Sequence, residues 1–384
     1  MKRITLTSVL ALALSAVLSA QTISFLPARN SLVGSRPTGL VTGDFNGDGR
    51  PDIAVANSAS SSISILLGMG NGLFRPRRDT PLASQPFALA TGDFNRDGKL
   101  DLAVVNSNAN SVMILLGNGD GTFRHPMNII VSSPTAIAVA DFNGDGKLDL
   151  VVASGCSNSI VILLGAGNGT FRKVADLAVG FNPVSIVLGD FNADGRTDIA
   201  VANGGSPFVS ILLNEGLGIF LPAQVIYTGG PLVSIVAADF NNDGILDLAV
   251  LISSDQVSPA IIFLGNGDAT FQQPISSVAG GSPLVAPIPL VGLTPAGLML
   301  TGDFNNDGIP DLAIALAGDN TVSLLIGVGD GSFQQAVLFP TGSGPSGVAT
   351  ADFNRDGKVD LALANVEGNS ASVLINLTPP VPVI

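Results

Sequence analysis

The sequence has 384 residues, too many for one simple hydrophobic core but ordinary for a large repeat-built domain. Charged residues make up only 12% of it, yet its apolar runs are about seven residues long and stop at Asp, Asn or Gly, far short of the roughly 20 that a membrane-spanning helix needs. A net charge of −13, from 17 basic and 30 acidic residues with no basic cluster beyond Arg75, Arg77 and Arg78, excludes the positive footprint of a nucleic-acid binder.

The chain opens with Lys2 and Arg3, then an uncharged stretch from Ile4 to Leu18 that ends in Leu18, Ser19 and Ala20. A positive start, a short apolar segment and a small residue before the cut describe a secretory signal peptide over 1–20. The expected location is therefore secreted, periplasmic or at the cell surface. Gln21, not Cys, stands immediately after the cut, so lipid anchoring has no support. Cys156 is the single cysteine, which excludes a disulfide framework and reads as a small buried hydrophobe.

From there a repeat organises the chain. The string Asp-Phe-Asn-x-Asp-Gly-x-x-Asp occurs seven times, starting at Asp44, Asp93, Asp141, Asp190, Asp239, Asp303 and Asp352. Six intervals separate them, five of 48 or 49 residues and one, the fifth, of 64. A proline stands seven or eight residues ahead of each copy: Pro37, Pro86, Pro134, Pro183, Pro231, Pro295 and Pro345. Proline suits the first residue of a strand, where its missing N–H breaks no ladder bond. The first copy then shows the element order expected of all. An apolar run around Leu40 leads into the acidic loop, and a second run follows at 53–56. A Ser/Asn turn and a third run at 63–67 come next, then a Gly-rich turn ending in Phe and a fourth segment.

Four short strands per repeat leave no room for a helix. Apolar residues on both sides of the second and third strands require burial on both faces, which blades stacked around an axis provide. The expected fold is therefore all-β, a seven-bladed β-propeller of four-stranded antiparallel blades over 21–378. The chain ends support closure. Phe25 lies 19 residues before Asp44, as Phe74, Phe171, Phe220 and Phe333 do before their next loops, and the last copy runs out near Leu377 after three strands. The segment around 23–26 is thus expected to supply the outer strand of the last blade and remove the open edges.

The acidic loop carries the chemistry. In the first copy the candidate ligands are Asp44, Asn46, Asp48 and Asp52, with the carbonyl of Arg50 at the seventh position. The corresponding sets are Asp93, Asn95, Asp97, Lys99 and Asp101; Asp141, Asn143, Asp145, Lys147 and Asp149; and Asp190, Asn192, Asp194, Arg196 and Asp198. The last three are Asp239, Asn241, Asp243, Ile245 and Asp247; Asp303, Asn305, Asp307, Ile309 and Asp311; and Asp352, Asn354, Asp356, Lys358 and Asp360. Oxygens from positions 1, 3 and 5 point inward from a tight loop, the Gly at position 6 allows the turn, and position 9 closes the cage. Such an all-oxygen set suits calcium, which takes six to eight ligands at about 2.3–2.6 Å. Magnesium prefers a smaller, wetter octahedron, and no soft ligand is present for zinc or copper. The loop overlaps the first half of an EF-hand but has Val55 where that loop carries Glu, and strands rather than helices flank it. Of the 30 acidic residues, 21 occupy these loops. Losing Lys2 and Arg3 takes the charge to about −15, and seven divalent ions bring it to about −1. About seven calcium ions, one per blade, are expected, with affinities of roughly 10⁻⁴–10⁻³ M.

These residues resemble the FG-GAP/VCBS repeat family, the blades of the integrin α-subunit head and of many bacterial secreted proteins. The resemblance runs from Phe25 to about Leu377. It implies a seven-bladed propeller with calcium between the first and second strands of each blade. It also implies that partners bind the opposite face, here 57–62, 106–110, 154–158, 203–207, 253–258, 317–320 and 365–369. The chain departs from the family in 15 extra residues within the fifth interval and in carrying no attached adhesion or catalytic module.

For function, the reading favours a non-catalytic binding or structural module for an extracellular protein or glycan. A polysaccharide lyase-like enzyme is the first alternative. Against it stand a single histidine, His125, and only two glutamates, Glu215 and Glu367, with no acidic pair at a spacing suited to acid–base work. A calcium-dependent lectin is the second, although the chain has no Trp and one Tyr, Tyr227, to serve as a sugar platform. The stretch 276–298, rich in Pro, Val, Leu and Ile, reads as a decorated loop or an apolar contact. Residues 379–384 read as a short extended tail.

Overall fold

The computed structural model describes residues 23–252, 259–278 and 298–379. Its strands form seven four-stranded antiparallel sheets, each a blade, and one small hairpin, Asn214–Gly216 with Ile219–Phe220, in the Gly-rich turn of the fourth. In chain order blade 1 comprises Pro37–Gly43, Asp52–Asn57, Ser62–Leu66 and Arg78–Pro81, from the axis outward. Blade 2 holds Ala88–Gly92, Asp101–Asn106, Ser111–Leu115 and Met127–Ile130, and blade 3 holds Pro134–Ala140, Asp149–Ser154, Ser159–Gly165 and Phe171–Ala178. Blade 4 is Pro183–Gly189, Asp198–Asn203, Phe208–Leu212 and Gln224–Tyr227, and blade 5 is Leu232–Ala238, Asp247–Ile252, Pro259–Phe263 and Ile275–Val278. Blade 6 is Met299–Gly302, Asp311–Leu316, Thr321–Leu325 and Val337–Pro340. Blade 7 takes Pro345–Ala351, Asp360–Asn365 and Ser370–Leu374 from the C-terminal end and Arg29–Leu32 from the N-terminal end. Among the described residues the one helical element is a single turn, Ser107–Ala109.

The expected all-β propeller is the fold observed. Four innermost strands begin on the predicted proline, at Pro37, Pro134, Pro183 and Pro345. The second strands are buried on both faces because each sheet is covered by its neighbours. The core is accordingly divided among the blade interfaces. One cluster joins Leu40, Ile53, Val55 and Leu66 of blade 1 to Ala362, Ala364, Val373 and Ile375 of blade 7, so the first and last blades share a core.

The outer strands are mostly exposed, with only the third residue half-buried in blades 1, 4 and 6, as the uncovered edge of a blade requires.

Closure differs from expectation in one detail. The N-terminal strand that pairs with Ser370–Leu374 is Arg29–Leu32, three to six residues beyond the predicted 23–26. Residues 24–26 instead reproduce the Gly-rich turn: Phe25 bridges Asn376, and Leu26 N–H donates to the Ile375 carbonyl at 2.8 Å. The reason lies in the repeat. Outer strands begin four residues after the turn phenylalanine, Met127 after Phe123 and Val337 after Phe333, and Arg29 stands four after Phe25. Removing the chain through Leu32 should lower the thermal midpoint by roughly 10 °C and cause concentration-dependent association at the bared edge. Calorimetry and light scattering against a chain starting at residue 21 check this.

The segment 1–20, expected to be a signal peptide, lies outside the described residues. So do the turn 253–258, residues 279–297 of the inserted stretch, and all but the first residue of the tail 379–384.

Candidate metal centres

All seven acidic loops join the first strand of a blade to the second and lie on one face of the ring. Their backbone follows one path. Position 4 is left-handed in each loop, from Gly47 at φ +73° to Ala193 at +58° and Arg355 at +62°, and the Gly at position 6 is left-handed as well. A Cβ on Gly195 would meet no atom within 4 Å, so the glycine is required by its φ of +81° and not by space. Gly195→Ala should therefore cost about 1 kcal/mol in a chemical denaturation series.

Two left-handed residues turn the side-chain oxygens of positions 1, 3 and 5 toward the loop's own amides. In the first loop Asp48 N–H donates to Asp44 Oδ1 and Asn46 Oδ1, at 3.1 and 2.8 Å, while Gly49 N–H donates to Asp44 Oδ2 at 2.7 Å. Asp93, Asp141, Asp190, Asp239, Asp303 and Asp352 accept the same pair of amides in their loops. The N–H of position 7 donates to the carboxylate of position 5, as Arg50 does to Asp48 and Ile309 to Asp307.

Position 9 has a second role that the sequence reading missed. Asp52 is fully buried, and its two oxygens accept from Phe45 N–H at 2.9 Å and Gly68 N–H at 2.7 Å. The first bond spans the loop; the second ties it to the end of the third strand. Asp101, Asp149, Asp198, Asp247, Asp311 and Asp360 make the same two bonds. Burial pushes the Asp311 carboxyl up to about 7, although the Gly327 and Phe304 amides pull it back, and Asp307 and Asp303 add repulsion. The same causes push Asp52 and Asp360 up to about 6.

The phenylalanine at position 2 joins each loop to the next blade. Phe45 meets Phe123 edge-on with ring centres 6.1 Å apart, and Gly121 N–H donates to the Phe45 carbonyl at 3.0 Å. Phe94 with Phe171, Phe142 with Phe220, Phe191 with Phe271 and Phe240 with Phe333 continue the series. Phe304 with Phe25 and Phe353 with Phe74 complete the circle. A loop that holds its shape therefore also holds a blade interface.

Among the described residues no three His, Cys, Asp or Glu side chains close on a point as a ready metal cluster. The donor chemistry nevertheless fits a hard cation. Each loop offers three carboxylates, an amide oxygen and a free backbone carbonyl, with no nitrogen or sulfur ligand. Its position-9 carboxylate is raised mainly by burial and further by the charge of the other two. Carboxylate oxygens that accept an N–H keep a second lone pair for a metal. Positions 1, 3, 5 and 9 and the carbonyl of position 7 would hold the ion, which supplies countercharge and cross-links the loop.

The chain was compared with known proteins. The family model for the FG-GAP-like repeat matches residues 44–104, 93–152, 141–201, 190–250 and 303–363. The chain belongs to this family. Each FG-GAP match runs from one acidic loop to the second strand of the next blade, the unit that the Phe pairs hold together. No curated protein matches the sequence. Among solved structures, BBS1N in complex with ARL6DN, soaked with lead, gives a TM-score of 0.63 at 16% identity, covering 93% of this chain and 98% of that one. An Agrocybe aegerita lectin, whose structure concerns recognition of non-reducing terminal N-acetylglucosamine, gives 0.54 at 19% identity over 86% of both chains. A catalytically inactive virginiamycin B lyase from Staphylococcus aureus, with quinupristin, gives 0.56 at 13% over 92% of this chain and 99% of that one. At these identities the likeness is one of fold.

On the face opposite the FG-GAP loops, the turns between second and third strands are partly consumed by structure. Asn57, Asn106, Asn203 and Asn365, the first residues of four such turns, are fully buried and unavailable to a partner. Asn110, Asn158, Asn320 and Asn369 are left-handed, and their Oδ1 atoms accept from Ser133, Asn182, Gly344 and Arg36 N–H, pinning the connector to the next blade. What remains exposed differs between blades: Ala59 and Ser60, Asn108, Asp319, Glu367, and Cys156 with Ser157. Cys156 is thus a surface thiol rather than a core residue, because the turn lifts it off the strand end.

Two cavities bear on function. An axial one of about 250 Å³ is lined by Leu40, Leu89, Ile137, Ile186, Ile235 and Met299 among others, without a carboxylate, His, Cys or Lys. An open groove of about 620 Å³ between blades 4 and 5 is lined by Tyr227, Gln224, Gln272, Gln273, Thr270 and Pro274 among others, again without those groups. His125 is exposed in the connection before the outer strand of blade 2, outside both.

Proposed function

We propose that this chain is a secreted calcium-binding propeller that acts as a non-catalytic binding module for an extracellular partner. Calcium in the seven loops stiffens the ring, and the partner is held by the turns on the other face. One observation carries the reading: the seven loops share one hydrogen-bonding pattern, while the exposed turn residues opposite them change from blade to blade. Shared geometry suits a structural ion, and varied loops on a rigid frame suit recognition. The complex of BBS1N with ARL6DN supports such a use of the fold. A lyase-like reading has support from the virginiamycin B lyase fold, but neither the axial cavity nor the blade 4–5 groove offers an acid or a base, and in the cavity of about 390 Å³ beside Ser157 and Asn158 the one carboxylate, Asp176, is paired with Lys173 at 2.7 Å. The test replaces Ala59, Asn108 and Glu367 with Arg and measures capture of extracellular material on the immobilised chain in calcium. Loss of capture with an unchanged melting curve is expected; unchanged capture would overturn the assignment of the face.

The blade 4–5 groove favours a second reading, a lectin. Tyr227 is 71% exposed, and an aromatic face beside amides and hydroxyls is the equipment that stacks and hydrogen-bonds a neutral sugar. On a glycan array the lectin reading expects a bound class that Tyr227→Ala abolishes. An array blank at high protein concentration removes it.

A further inference from the structure

The seven loops are alike in their carboxylates but not in the cations beside them. In blades 1 to 4 a basic side chain reaches the position-5 carboxylate. Arg50 lies 3.9 Å from Asp48, Arg124 3.5 Å from Asp97, Lys147 3.0 Å from Asp145 and Arg196 2.7 Å from Asp194. The blade 7 loop contains Arg355 and Lys358. Blades 5 and 6 have none: position 7 is Ile245 or Ile309 and position 4 is Asn242 or Asn306. Among the described groups the position-5 carboxylates there meet amides, with Asn241 Nδ2 donating to Asp243 at 2.8 Å and Asn305 Nδ2 to Asp307 at 2.6 Å. Ile245 and Ile309 lie over Gly267 and Gly329 of the neighbouring turns, close enough that a Cβ there would stand 3.5 and 3.1 Å from their Cδ1 atoms.

The contrast extends beyond the loops. Residues 197–354 contain 13 acidic residues and no Lys, Arg or His, while the rest of the chain has 17 of each sign. The whole net charge of −13 therefore belongs to the sector from the second strand of blade 4 to the opening of the blade 7 loop.

We infer that the blade 5 and blade 6 loops are the two high-affinity calcium sites of the ring, and that basic side chains weaken the other five. This rests on the calcium reading above. Two effects act together. A cation within about 7 Å of a divalent ion opposes its binding even in water, by an amount worth roughly tenfold in affinity. In blades 3 and 4 an incoming ion must also displace an ammonium or guanidinium from the oxygen it needs. Ligand charge count tunes oxygen-cage calcium sites over several orders of magnitude, and 0 to −3 is the span of local charge here, once Arg124 is counted with the blade 2 loop.

Flow dialysis of the mature chain with radiolabelled calcium tests it. Two ions should bind at free calcium roughly tenfold below the rest, with the gap narrowing at high salt. Ile245→Lys and Ile309→Lys should each remove one ion from the tight class, and Lys147→Ile should add one. Position 7 donates its carbonyl, so these changes spare the ligand set, and unchanged melting in chelator shows that the fold is intact. Seven equivalent sites, or a tight class that survives both lysine substitutions, would overturn the inference while leaving calcium binding itself in place. No uptake at millimolar calcium would instead defeat the calcium reading, and this inference with it.

Discussion

Chelation should lower the thermal midpoint of the mature chain by on the order of 10 °C or more relative to millimolar calcium. Millimolar calcium stands at about 1 to 10 times a dissociation constant of roughly 10⁻⁴–10⁻³ M and so adds roughly 0.4–1.4 kcal/mol per site to the folded state. Seven sites multiply that, and a ring whose loops are joined by the Phe45–Phe123 type of contact shares the benefit across its interfaces. For a chain of this size each kcal/mol moves the midpoint by about 2 °C or somewhat less. The direction is set by charge. Without a cation each loop holds three carboxylates in mutual repulsion, one of them buried, and unfolding releases that repulsion. Calorimetry with chelator, calcium or magnesium checks the effect, and magnesium should restore less of the lost stability because it keeps its water.

The second large effect separates the two jobs done by the acidic residues. Asp149→Asn should destabilise the protein in calcium and in chelator alike, by about 1–3 kcal/mol in chelator. The Asp149 carboxylate accepts from both Phe142 and Gly165 N–H, and an amide leaves one of those buried donors facing another donor. Asp145→Asn should destabilise only in calcium, because Asp145 is exposed and its loss in chelator removes repulsion and a surface ion pair with Lys147. Equilibrium denaturation of both variants, with and without calcium, gives four numbers. An Asp149→Asn variant as stable as the parent chain in chelator would mean that position 9 has no structural role of its own.

Much of the fold was legible because the repeat is periodic in residues with one physical use each. Pro37, Pro134, Pro183 and Pro345 mark where an inner strand begins, and Phe25 in register with Phe74 announces that the N-terminus completes the last blade. The register of Phe25 puts the strand around 23–26, but Phe25 belongs to the turn, and the offset of four from Phe123 to Met127 points to Arg29. The loop backbone was legible through Gly49 and its counterparts. The double duty of Asp52 was not, since its amide partner Gly68 is 16 residues away and only the finished blade brings them together.

The opposite face was the least legible. Asn57 and Asn110 look alike in sequence, as polar turn residues, yet one is buried at the end of a strand and the other is a left-handed pin for the next connector. Cys156 misled for the converse reason: its residue type suggests burial, and the turn exposes it. The absence of any basic residue from 197 to 354 was open to inspection throughout. It acquires meaning only when Ile245 and Ile309 are seen to occupy the places that Lys147 and Arg196 fill in blades 3 and 4.

The most direct measurement is anomalous diffraction from crystals of the mature chain grown in millimolar calcium. The account predicts a peak inside the acidic loops, strongest in those of Asp239 and Asp303, with the position-7 carbonyl turned toward it. Loops that remain empty while the carboxylates keep their contacts to backbone amides would show that the seven motifs are turns and nothing more.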